Sequence, residues 1–211
     1  MNRVLIGIMA LGLLAGCTKT DAPAQTSPTS TTGSAADPAV PVNDPAMIMH
    51  MTGQIRLGDT LEAAKKAAPA PKDAQLFDTS LSFAILDVQG WAWSSGENES
   101  FEVALEDGKV IAIAHTRLNQ EKANPTDDMR IDTRPADRSA EKPTAKMKVW
   151  ENGDNARIEI SFYGKGLFGT GTITMIGPKS KLKLLNYDAA DPETFVTQYD
   201  NAAKQIEKAG K

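Results

Sequence analysis

The most chemically pointed residues stand close together: Met47, Met49, His50 and Met51. Thioether sulfurs and an imidazole together suit Cu(I). If this segment is a strand, alternation puts the three sulfurs on one side and His50 on the other. A single site for all four then needs a non-strand conformation; otherwise the methionines fill a core. Gly164-Lys165-Gly166-Leu167-Phe168-Gly169 spells the glycine pattern of a dinucleotide loop. Such a loop opens a helix, whereas Thr170 to Ile176 reads as strand, so these glycines mark a hairpin. Trp91 and Trp93 share one strand face, with Trp150 elsewhere. Exposed, they would stack on a sugar or a partner; the expectation is that they are core. The histidines are His50 and His115, and neither Gly-x-Ser-x-Gly nor His-Glu-x-x-His occurs. Asp127, Asp128 and Asp132 lack the spacing and the glycine of a Ca²⁺ loop. The chain therefore reads as a non-enzyme, with an unrecognised carboxylate pair as the remaining catalytic reading.

The elements that must position these residues read as α+β. Met47 to Thr52 alternates as a strand, and Gln54 to Leu57 follows Gly53. Asp59 with Glu62 has capping-box spacing for a helix over about 60–68, which Pro69 and Pro71 stop. Leu81, Phe83 and Ile85 alternate as a strand. The runs flanking Asp107-Gly108 form the strongest hairpin signal, with Glu106 facing Lys109 and Leu105 facing Val110. Residues 119–144 are polar and contain proline, which predicts a long exposed loop. Lys146 to Trp150 and Arg157 to Tyr163 form a second hairpin, with Ile158, Ile160 and Phe162 pointing one way. Thr172 to Ile176 and Lys181 to Leu185 are further strand candidates. Asp191, Pro192 and Glu193 start a helix over 192–208 whose stripe is Phe195, Tyr199, Ala202 and Ile206. The sum is seven to nine strands, mostly antiparallel, with two helices, in one domain over 47–211.

The chain has 211 residues, with 27 acids against 23 bases. A net charge of −4 gives no pull towards nucleic acid. The single cysteine, Cys17, excludes an intramolecular disulfide framework and any multi-cysteine metal site. Arg3 precedes an apolar run from Val4 to Ala15, which suits a secretory signal and is too short to span a membrane. The run ends in Leu14-Ala15-Gly16-Cys17, which resembles the bacterial lipobox. That resemblance implies a signal peptide over 1–16, cleavage before Cys17, and diacylglycerol on its sulfur. Two or three acyl chains hold a protein to a membrane without spanning it. Thr18 after the cysteine resembles the outer-membrane sorting pattern of diderm bacteria. Among residues 18–46, 21 of 29 are Pro, Ser, Thr, Ala or Gly. Together with Cys17 they read as a lipidated, disordered tether over 17–46 with a mean reach of about 30 Å.

Ile55-Arg56-Leu57-Gly58-Asp59-Thr60-Leu61-Glu62-Ala63-Ala64 is similar to the entry into the first helix of SmpA/OmlA (BamE-like) envelope lipoproteins. It is also similar to the repeat of β-lactamase-inhibitor-like modules. These families pair short helices with an antiparallel sheet and act by binding proteins. Asp59 stands where Met is usual, and no binding residues carry over. The resulting expectation is a lipid-anchored protein in the outer membrane, its domain in the periplasm, non-catalytic, binding an envelope protein or component. The alternative is copper binding through Met47, Met49, His50 and Met51. On the copper reading, Met49→Ala weakens Cu(I) binding in a competitive titration of the mature chain. Equal affinities in variant and wild type dismiss it.

Overall fold

In the computed structural model, the residues described are 44–50, 53–80, 82–83, 86–96, 98–119, 134–164 and 169–209. They belong to a single contact unit. Their architecture is α+β and mostly antiparallel, as the hairpin signals predict. The expected signal peptide over 1–16, Cys17 and most of the expected tether lie outside the described residues.

The chain enters through a 3₁₀ turn at Pro45–Met47, where the Asp44 carboxylate accepts from the Ala46 N–H. Ala46 is fully buried, so the body begins slightly before the expected Met47. Strands β1 (Ile48–His50) and β2 (Gln54–Arg56) pair as a small antiparallel ribbon. Helix α1 (Leu61–Ala67) follows. Its cap is Thr60, not Asp59: the Thr60 hydroxyl accepts from Ala63 N–H at 3.2 Å. The Asp59 carboxylate turns back to accept from Arg56 N–H, closing the Gly58 turn.

The main sheet runs β3 (Gln75–Phe77), β4 (Gln89–Ser95), β5 (Glu99–Glu106), β6 (Lys109–Leu118), β10 (Gly171–Pro178), β9 (Asn155–Phe162), β8 (Ala145–Asn152) and β7 (Arg138–Lys142), in that spatial order. Every neighbouring pair is antiparallel. At the β5–β6 turn Asp107 and Gly108 both have positive φ, which matches the twist of a two-residue hairpin. Glu106 opposes Lys109 and Leu105 opposes Val110, as expected. Gly171 is required for a different reason. A Cβ there would meet the Arg117 carbonyl oxygen across β6–β10.

Both faces of the sheet are covered. One face carries Ile158, Ile160, Phe162, Met147, Val149 and Met175, under α3 (Pro192–Ala209) and the short α2 (Lys179–Leu184). The opposite face carries Trp91, Trp93, Phe101, Val103, Ile113 and Trp150, under the 3₁₀ turn, β1–β2 and α1. Burial on both sides explains why β5 holds five consecutive buried residues and not an alternating pattern.

Four further expectations are corrected. Lys181 to Leu185 lies mostly in α2 and not in a strand. A strand would put Leu182 and Leu184 on one face, whereas the helical turn buries Leu182 and leaves Leu184 65% exposed. Phe83 is a fully buried residue in a turn after β3; Leu81 and Ile85 lie outside the described residues. The expected loop over 119–144 contains edge strand β7, whose Ala140 alone buries well among polar neighbours. A single inward alanine gives no visible alternation. The stripe of α3 is rotated: Val196, Tyr199, Asp200 and Ala203 are buried, while Ile206 is 46% exposed. Phe195 instead stacks with Tyr187 and Tyr199, and Asp200 is drawn in by the Thr144 hydroxyl and Lys204.

Two features hold the layers in place. Arg157 is fully buried; its guanidinium donates to the Ile48 carbonyl and to Glu159, and lies over the Trp150 ring. It thereby ties the entering segment to β9. Replacing it by Met leaves the Ile48 carbonyl without that donor, at a cost of about 1–3 kcal/mol. The urea midpoint should fall at constant slope, and an unchanged midpoint rules out this tie. The second feature is in β6. Ala104 opposes Ala112 but Leu105 opposes Val110, so Ile111 is an extra, bulged residue. Deleting Ile111 leaves Leu105 opposite Val110 and Ala104 opposite Ala112 in an unbroken ladder, so a cooperative unfolding transition followed by circular dichroism should persist. A deletion variant that no longer unfolds cooperatively contradicts the assigned register.

Candidate functional site

The bulge builds the most unusual group of side chains in the molecule. Counted straight from the Asp107-Gly108 turn, Glu99 would oppose Thr116 and share no face with His115. With Ile111 inserted, Phe101 opposes His115 and Glu99 opposes Arg117. Glu99, Phe101, His115 and Arg117 then line one face, the face covered by α1. Trp93, opposite Phe101 on β4, completes the wall.

The geometry is tight. His115 Nε2 lies 3.0 Å from Glu99 Oε1, and Arg117 Nε is 3.7 Å from the same oxygen. The imidazole side chain has no exposed surface. It meets Trp93 and Phe101 edge-on, at centroid distances of 6.5 and 6.3 Å. Trp93 in turn donates its indole N–H to the Ala68 carbonyl at the end of α1. The hydrogen bond from His115 is the main reason the Glu99 carboxyl sits below its ordinary range. The positive charge of Arg117 adds to it, against partial burial. With Nε2–H given to Glu99, Nδ1 is the ring acceptor, and among the described residues it has no hydrogen-bond partner. The carboxylate thus fixes the ring orientation.

A second buried acid lies on the other face of β5. Glu102 is 1% exposed and accepts from the Ser82 N–H at 2.7 Å. The nearby Tyr187 phenol is pushed up to about 12 by burial, with the Glu102 charge adding. Glu102 holds the turn containing Phe83 against the sheet. A shallow surface pocket of about 200 Å³ lies where α2 meets the start of α3, lined by Lys183, Asn186, Asp188, Asp191 and Phe195. Its carboxylates are engaged: Asp188 pairs with Lys183, and Asp191 caps α3 through Thr194.

The residues singled out in the sequence are distributed as follows. Met47 and Met49 are 2% and 0% exposed and belong to the core cluster of the α1 face. Met51 and the side chain of His50 lie outside the described residues, as do Asp127, Asp128, Asp132 and residues 165–168. Among the described residues, no group of three His, Cys, Asp or Glu is placed to hold a metal ion. Trp91, Trp93 and Trp150 are all buried. The pairing of His115 with Glu99 is absent from the sequence reading. The hairpin signal was there, but the inserted residue that aligns the two faces has no marker in residue type.

Comparison with known proteins returns no matching family model, no similar curated protein and no similar solved structure.

The lowered Glu99 carboxyl has a consequence for acid stability. Its contribution is fully present above its unfolded value near 4.5 and is lost as pH falls through the lower folded value. Glu99→Gln should therefore lose stability at pH 7 yet show a smaller further loss than wild type between about pH 5 and pH 3. Parallel acid profiles for the two proteins overturn the assignment.

Proposed function

We propose that this chain is a lipid-anchored protein of the cell envelope, held to the outer membrane by an acylated Cys17 with its α+β body in the periplasm. The body acts by binding an envelope protein or component, without catalysis. The observation that carries the anchor is Leu14-Ala15-Gly16-Cys17 at the end of a short apolar run that follows Arg3. Residues 18–43, rich in Pro, Ser, Thr and Ala, would supply the spacer. The body supports a surface role. Its distinctive polar groups, Glu99, His115, Glu102 and Arg157, are all bound into the packed layers.

The anchor has a direct test. The wild-type chain should partition into detergent, and its N-terminal peptide should begin at Cys17 with the added mass of acyl chains. Cys17→Ser should remain in the aqueous phase. A wild-type chain found in the aqueous phase with an unmodified Cys17 defeats the proposal. For the binding role, cross-linking in intact envelopes followed by affinity capture should recover one stoichiometric companion. Recovery of none argues against it.

A further inference from the structure

We draw no further inference here: the strongest candidate, the buried His115 imidazole between β5 and β10 on the α1 face, whose Nδ1 has no partner among the described residues, belongs to the site already described, and nothing in the structure shows a ligand or an opening that would reach it.

Discussion

A single inserted residue in β6 sets the chemistry of both faces of the sheet. Side chains alternate with a period of two, so one extra residue exchanges the faces of everything beyond it. Ile111 does this in the strand that lies between β5 and β10. From Ala112 onward, small alanines face the α3 side, and Ile113, His115 and Arg117 face the α1 side. Paired without the bulge, Ile111 would oppose Ala104 and His115 would oppose Ser100 beside Glu102 on the α3 face, while Glu99 would lack its imidazole. The backbone at the bulge is not left open. Gly58 N–H donates to the Val110 carbonyl and Val110 N–H donates to the Asp59 carbonyl. Strand β10 pairs with β6 only as far as Ile113, and the Gly58–Thr60 turn takes the edge beyond it.

That turn connects the bulge to the layer above it. Gly58 leads directly into Thr60 and α1, whose last turn receives the Trp93 indole N–H. Trp93 and Phe101 form the wall around His115. The register of β6, the seat of α1 and the buried Glu99–His115 pair are thus parts of one packing arrangement. The desolvation of His115 is tolerable because Glu99 accepts at Nε2 and because Glu99 itself stays partly in solvent. Arg117 beside the same oxygen keeps the local charge balanced.

Much of this was legible in the residues. Two hairpins, the register beside the first turn, the terminal helix and the α+β class follow from the Asp107-Gly108 turn, alternation, and the Asp191-Pro192 start. The misreadings share a physical cause: short elements whose position is decided by tertiary contacts. Helix α2 has six residues and no side-chain cap, so nothing local distinguishes it from alternating Leu-Lys strand. Strand β3 has three residues and an exposed Leu76, and forms because β4 offers an edge at Trp93. Strand β7 has the charged composition that keeps a sheet edge from pairing further, and that same composition made it look like loop. The Glu99–His115 pair needs the register beyond a bulge, which pairwise alternation cannot supply.

The way the chain enters the body bears on how an anchor would act on it. On the proposed reading, tension from Cys17 reaches the folded layers at Asp44. Asp44 faces Arg134, and the next residues form the 3₁₀ turn packed on β8 and β9. Immediately after it, the Ile48 carbonyl receives the buried Arg157 guanidinium. The load therefore first meets the α1 face over β8 and β9. There it is resisted by a buried cation, the Trp150 ring beneath it and the methionine-lined core, all side-chain contacts of short range. The β1–β2 ribbon pairs only with itself among the described strands, so no ladder of sheet hydrogen bonds shares the load. Arg157 and the methionines at 47 and 49 then have a role that their residue types alone do not suggest. They fasten the entering segment to a sheet whose eight strands pair with one another and not with it.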